Sequence, residues 1–338
     1  AARNANVEFA IMEVSSHSLA QKRISGCEFS AAIFTNLSQD HLDYHIDMES
    51  YFHTKMELFK VPYLISKNCF SVVNIDDKWG MKLVEHIDSL CLLTSIKNEQ
   101  KFLKKNNHFY VSDKKLTNHG SYCLFHTPSE QLELFVPLIG EFNLMNSIQV
   151  ITLLYNLGFP LRDIANSLKT FPGVPGRMER VNVSGDELKE YLPNVIIDYA
   201  HTPDGLKKVL ESIKNFAKGN IITVFGCGGD RDSTKRPLMG SIAEKFSDYI
   251  FITSDNPRTE NPNKIIQEIL NGIEKRDKIN VDIDRFSAIK KAINLAEGND
   301  IVLIAGKGHE NYQILENKKI DFDDKKVAYD LLIKKLKL

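Results

Sequence analysis

The sequence predicts an α/β protein built on two largely parallel sheets, and three observations carry that prediction. Short apolar runs alternate with stretches of helical periodicity over most of the 338 residues. The later apolar runs are each followed at once by polar, Gly-rich or charged residues, as at the carboxyl ends of parallel strands. A segment with two Pro and two Gly at 171–177 punctuates the pattern and divides the chain in two.

In the first part, apolar runs at 9–14, 31–34 and 70–74 predict strands, and the periodicity of 48–60 predicts a helix between the second and third. Residues 97–131 alternate in short polar-apolar segments such as 108–111, separated by Lys-Lys-Asn-Asn and Asp-Lys-Lys turns, and predict a small antiparallel excursion. Amphipathic helices follow at 143–157 and from the Phe159-Pro160-Leu161-Arg162-Asp163 opening to about Thr170. Beyond the 171–177 hinge, four strong strands at 195–198, 221–225, 249–253 and 301–305 each lead through a loop into a helical stretch, which predicts a second, Rossmann-like domain. The expected domains are 1–176 and 177–338.

Composition narrows the function. Hydrophobic residues at 43% and charged residues at 26% suit a globular core. With Lys+Arg 43 against Asp+Glu 44, no basic field is available for wrapping nucleic acid or anionic lipid, so an anionic ligand must be held by local groups. Five cysteines without a C-x-x-C pair fit reduced thiols and a cytoplasmic setting. No apolar run approaches a membrane span, and neither a membrane nor a nucleic acid is expected as partner. The chain opens Ala-Ala-Arg-Asn without Met and enters an apolar run almost at once, so the expectation is that the front of a domain lies upstream.

Several constellations could carry chemistry. Glu13 closes the first apolar run, where a carboxylate could ligate a hard cation or pair with a nearby base while the serines cap a helix. Two Asp and two His crowd residues 40–45, which suits metal or phosphate work or a capped helix start; His41 and His45 have zinc-helix spacing, but the Glu of H-E-x-x-H is missing. Lys55 falls in the apolar face Met48, Tyr51, Phe52, Met56, Phe59. Its ammonium can snorkel to the rim, or the neutral amine favoured by burial can take up carbon dioxide and become an anionic carbamate beside magnesium. Three loops then stand at strand ends: 226–232 with Arg231, Asp255-Asn256-Pro257-Arg258, and Gly306 to Glu310. Two Arg and one Glu around one pocket suit a ligand bearing a carboxylate and an ammonium; turn chemistry and surface ion pairs explain any one loop but not all three together. No complete P-loop occurs, and Gly306-Lys307-Gly308 imitates one only in part.

These motifs, in this order, resemble the Mur ligase family: E-V-S-S-H-x-L-x-Q-x-R at 13–23, T-N-L-S-x-D-H-L-D-Y-H at 35–45, G-x-F-N-x-x-N at 140–146, G-V-P-G-R-M-E-R at 173–180, D-Y-A-H-T-P at 198–203, G-C-G-G-D-R-D at 226–232, D-N-P-R at 255–258 and G-K-G-H-E at 306–310. The resemblance implies a central ATPase-type domain followed by the Rossmann-like amino-acid-binding domain. It implies an ATP-driven amide ligase of peptidoglycan synthesis that joins meso-diaminopimelate to UDP-MurNAc-L-Ala-D-Glu through an acyl phosphate, acting as a monomer. By the family pattern Glu13, His41 and a carbamylated Lys55 hold Mg2+ and form the catalytic set. Ser15, Gln21 and Arg23 bind the UDP-sugar-peptide, and Asn143, Asn146, Arg177 and Asp198 bind ATP. Arg231, Asp255, Asn256, Pro257, Arg258, Gly306 and Glu310 grip the incoming amino acid. Lysine lacks the distal carboxylate that Arg258 would pair, a loss worth on the order of 2–5 kcal/mol.

The family's uridine-binding domain and P-loop are expected upstream, so the 338 residues alone are expected not to turn over ATP. Competing readings are a lysine-adding ligase, a folylpolyglutamate synthetase, and a non-catalytic binder that has lost the phosphate loop. D-N-P-R, with Ser15, Gln21 and Arg23, argues against the first two, and Glu13, His41 and Lys55 argue against the third.

Overall fold

The computed structural model describes residues 6–38, 41, 44–65, 68–97, 107–183, 192–316 and 318–337. Asp40, Leu42 and Asp43 of the T-N-L-S motif and residues 98–106 of the polar stretch lie outside them. The chain divides into two compact units: Ala1–Ser112 with Leu124–Glu133 and Met145–Ile164, and Asp113–Cys123 with Leu134–Leu144 and Ala165–Leu338. No helix among the described residues is long and apolar enough to cross a membrane.

One sheet has the order β1 (Ala31–Phe34), β2 (Phe70–Asn74), β3 (Leu90–Ser95), β4 (His108–Thr117), β5 (Gly120–His126), β6 (Gln131–Val136). The first four strands are parallel. The connections from β4 to β5 and from β5 to β6 are too short for a parallel crossover, so the last strands form the expected antiparallel excursion, with β4 running well beyond 111. Helix α1 (Ser16–Ala20) precedes β1. Helix α2 (Met48–Met56), continued by a 3-10 turn Glu57–Phe59, and α3 (Lys78–Val84) pack on the first sheet through Phe52, Met56, Phe59, Trp79 and Leu83. Helix α3 lies close because residue 80 is glycine: a Cβ there would stand 1.9 Å from the Asn74 carbonyl oxygen of β2. Helices α4 (Glu141–Asn156) and α5 (Leu161–Lys169) follow.

The strand expected at 9–14 does not form. An apolar run becomes a strand only where a neighbouring edge supplies ladder partners. Residues 9–14 pair with no strand among the described residues, leaving β1 bonded to β2 alone at the sheet edge, and they stay irregular, with Ile11 fully and Phe9 largely exposed. Glu13 therefore stands in irregular chain just before α1, not at a strand end.

The second sheet has β7 (Glu179–Arg180), β8 (Asn194–Asp198), β9 (Ile221–Phe225), β10 (Tyr249–Ile252), β11 (Ile279–Val281) and β12 (Ile301–Ala305) in the order β11-β10-β9-β12-β8-β7. It is parallel except for β7, which runs antiparallel to β8. Period-two alternation explains its near-continuous apolar strands. Ile196, Ile221, Phe225, Ile301 and Leu303 face one core with α6 (Pro203–Lys214), α7 (Lys235–Phe246) and α8 (Pro262–Leu270). Val195, Ile197, Ile222, Val224, Val302 and Ile304 face the other, with α9 (Arg285–Leu295) and α10 (Asp324–Lys335). Side-chain caps at Thr202, Asn261, Asp284 and Asp323 start α6, α8, α9 and α10. A hairpin of β13 (Tyr312–Leu315) and β14 (Lys318–Asp321) lies between β12 and α10. This is the doubly covered, Rossmann-like sheet the four apolar runs predicted.

Candidate active site

In the second unit, the three strand-end loops interlock. Gly229 N donates to Asn256 O (2.9 Å), Arg258 Nη1 donates to Gly229 O (2.6 Å), and Thr259 Oγ1 donates to Asp230 Oδ1 (2.8 Å). Gly229 has to be glycine: a Cβ there would fall 1.9 Å from Pro257 O. From the other side, Asn256 Nδ2 donates to Glu310 Oε2 (2.9 Å), and Asn256 Oδ1 accepts from Ile314 N (2.9 Å). Gly306 sits against Asp255, where a Cβ would meet Oδ2 at 2.7 Å. Asp255, Asn256, Pro257, Gly306 and Glu310 are thus brought into one buried or half-buried group with Arg258. Arg258 carries φ 52°, left-handed backbone that a non-glycine residue adopts only where its surroundings impose it. Arg231 is on the same Gly-rich loop but exposed, with Nη1 donating to its neighbour's carbonyl, Asp230 O (3.0 Å).

Three buried cations hold this group together. Lys307 is fully buried between two glycines of positive φ. Its ammonium donates to the Tyr312 carbonyl and lies 3.3 Å from Glu310 Oε2, so it is committed to protein groups rather than imitating a phosphate-loop lysine. Arg285 forks onto Asp324 (2.8 and 2.7 Å) and donates to Ser254 O and Ala305 O, the carbonyls just before Asp255 and Gly306. Arg236 forks onto Glu260 and also reaches Glu268 and Gly228 O. Burial pushes the Asp255 carboxyl above the usual range, against the pull of the Arg285 and Lys307 charges. For Arg285 burial alone would lower the pKa, but the Asp324 carboxylate outweighs it and holds the guanidinium above its ordinary value.

A second cluster lies at the ends of β8 and β12. Both oxygens of buried Asp198 accept backbone amides, Met178 N (2.7 Å) and Ala200 N (2.8 Å), which ties the 171–178 segment down. Burial raises the Asp198 pKa while those bonds oppose it. Arg177 is exposed and lies 4.8 Å over the Tyr199 ring, which also faces His201 and His309. Lys235 Nζ donates to His201 O. The cluster offers aromatic faces and cations, chemistry suited to a nucleotide. Asn143 is buried with Nδ2 donating to Ile139 O (2.8 Å), and Asn146 is exposed a turn further along α4.

In the first unit, His41 stands edge-on to His17 (ring centroids 4.9 Å) and to Tyr51 (6.0 Å). His45 stacks on Tyr51 (4.8 Å) and lies 2.9 Å from Ser16 Oγ. Lys55 is half-buried with Nζ 5.4 Å over the same Tyr51 ring, so His41 and Lys55 meet around one aromatic side chain. Among the described residues no three His, Cys, Asp or Glu side chains group as metal ligands. Ser15 caps α1 through Oγ to Ser18 N (3.1 Å), Gln21 is its C-cap residue, and Arg23 is exposed.

Residues 1–154 match the Mur ligase middle domain and residues 176–308 the Mur ligase glutamate ligase domain. The chain belongs to the Mur ligase family. It is 62% identical over 337 residues to a UDP-N-acetylmuramoyl-L-alanyl-D-glutamate--2,6-diaminopimelate ligase of Prochlorococcus marinus subsp. pastoris, covering 100% of this chain and 66% of that one. A protein of the same name from Synechococcus sp. is 45% identical, covering 96% and 64%. A solved structure of a ligase of that name aligns with TM-score 0.66 at 33% identity, over 98% of this chain and 66% of the other. A folylpolyglutamate synthase from Mycobacterium tuberculosis aligns with TM-score 0.62 at 17% identity over 82% of this chain and 61% of the other, which shows the shared fold. The chain spans just under two thirds of the length of these curated relatives.

Mur ligases use ATP and magnesium. Magnesium commonly takes one or two protein ligands plus phosphate oxygens and waters, so a carboxylate and an imidazole fit it without a full protein cage. Glu13, exposed in irregular chain, carries such a carboxylate, and His41 carries such an imidazole. Sequence reasoning missed Arg236, Arg285, Tyr199, His201 and Lys235. A charge beside the exposed face of a helix reads as solvated, and only the fold shows that Arg236 and Arg285 are buried.

Proposed function

We propose that this chain contains the ATP-binding and amino-acid-binding parts, residues 1–176 and 177–338, of a cytoplasmic ligase that adds meso-diaminopimelate to UDP-MurNAc-L-Ala-D-Glu in peptidoglycan synthesis. The observation that carries the reading is the interlocked group around Arg258, with Glu310 fixed beside it by Asn256. A guanidinium and a carboxylate set side by side suit the distal end of diaminopimelate, which bears a carboxylate and an ammonium. The names of the relatives point the same way.

In the proposed reaction the D-glutamyl side-chain carboxylate attacks the γ-phosphorus of ATP, giving an acyl phosphate and ADP. The amine of diaminopimelate then attacks the acyl carbon, phosphate leaves, and the nitrogen gives up its proton. Charge placement dominates both steps. Glu13, His41 and a carbamate formed on the Lys55 amine would hold magnesium, which when bound neutralises phosphate charge. Ser15, Gln21 and Arg23 would orient the UDP-sugar-peptide. Arg177, Asp198, Asn143 and Asn146 would bind the nucleotide. Arg231, Asp255, Asn256, Pro257, Arg258, Gly306 and Glu310 would hold the amino acid.

The test is phosphate release by the full-length gene product with ATP and UDP-MurNAc-L-Ala-D-Glu, comparing meso-diaminopimelate with L-lysine. Release that depends on diaminopimelate is expected. Equal or better release with lysine would overturn the assigned substrate, and none with either would overturn the ligase.

A further inference from the structure

Arg236 is a large, fully buried cation in α7, none of whose residues is among those proposed to hold the amino acid. Its guanidinium makes four bonds: Nη1 to Glu260 Oε2 (2.9 Å) and Glu268 Oε2 (2.6 Å), Nη2 to Glu260 Oε1 (2.8 Å) and Gly228 O (3.1 Å). Glu260 Oε1 also accepts Asp230 N at 2.5 Å. The fork therefore grips the Gly-rich loop at Gly228 directly and at Asp230 through Glu260. Glu260 itself stands two residues beyond Arg258, with its amide on Pro257 O (3.1 Å). Arg231 and Arg258 sit on the two segments so joined, and the Gly229 carbonyl that receives Arg258 Nη1 lies between the two gripped residues.

We infer that Arg236 and Glu260 are positioning residues that set the spacing of Arg231 and Arg258, and so determine selectivity for an amino acid with a distal carboxylate. The inference rests on the proposed amino-acid site. The distal ammonium is read at Glu310, whose partners are Asn256 and Lys307 rather than Arg236. Loosening the clamp then degrades carboxylate recognition and leaves ammonium recognition in place. A fold-wide role would degrade both alike. Lysine cannot replace Arg236, because a point charge cannot span both Glu260 oxygens and Gly228 O.

The experiment uses the full-length gene product as wild type, Arg236→Lys and Glu260→Gln. It measures kcat/KM for meso-diaminopimelate, for L-lysine, which lacks the distal carboxylate, and for 2-aminopimelate, which lacks the distal amine. In both variants the preference for diaminopimelate over lysine should fall at least about tenfold, through a rise in the KM for diaminopimelate, while the preference over 2-aminopimelate holds within about twofold. The inference is overturned if the two preferences fall together or neither moves. If Arg236→Lys does not fold, Glu260→Gln decides alone. A wild type without preference for diaminopimelate over lysine would instead sink the assigned substrate, and the inference with it.

Discussion

Replacing Asp324 with asparagine tests how the strand-end loops are held. Arg285 and Asp324 are both fully buried, and two bonds join them, Nε to Oδ1 at 2.8 Å and Nη2 to Oδ2 at 2.7 Å. Asparagine keeps the shape and removes the charge, leaving a guanidinium in the interior with only the Ser254 and Ala305 carbonyls as further acceptors. Removing one partner of such a pair costs about 3–5 kcal/mol, because the remaining charge loses its compensation. For a folding unit of this size that is a fall in Tm of roughly 6–20 °C. Urea unfolding followed by circular dichroism measures it directly, and the double variant Arg285→Met, Asp324→Leu should recover most of the loss, since an apolar pair needs no compensation. A loss below about 1 kcal/mol for Asp324→Asn, or a double variant less stable than the single one, would refute the reasoning.

Gly80→Ala should cost about 2–4 kcal/mol in the same assay, since its Cβ meets the Asn74 carbonyl at 1.9 Å and α3 must move off β2; an unchanged unfolding midpoint would contradict this. The Arg236 fork holds the Glu260 carboxyl down at about 2 from its ordinary 4.5, so its stabilisation is complete above about pH 4.5 and lost as pH falls through 2. Glu260→Gln should accordingly flatten the acid limb of stability against pH, and an unaltered limb would count against the clamp. Burial pushes Cys123 and Cys227 up to about 12 and Cys91 to about 11, so all three should resist a thiol reagent at pH 8 in the native protein, and labelling within minutes would show the burial to be wrong.

The second sheet was legible because each strand is apolar on both faces and bounded by polar loops, and all four expected strands formed within a residue or two. The loops' convergence followed from parallel topology, which puts every strand's carboxyl end on one side. Residues 9–14 were misread because a strand is made by pairing, and an apolar run does not show which edge, if any, it pairs with. Lys307 looked like a fragment of a phosphate loop because sequence gives no direction to a side chain; the flanking glycines at φ 112° and 54° turn it inward onto Glu310 and the Tyr312 carbonyl. Lys235 and Arg236 are neighbours in sequence, and only the facing Glu260 and Glu268 determine which of them is buried.

The central claim is that Arg258 recognises a distal carboxylate. It is tested most directly by diaminopimelate- and lysine-dependent phosphate release measured side by side in the full-length gene product and its Arg258→Lys variant. The wild type should favour diaminopimelate strongly, and the variant should lose at least about tenfold of that preference with lysine-dependent release little changed. A variant that keeps the wild-type preference would contradict the account.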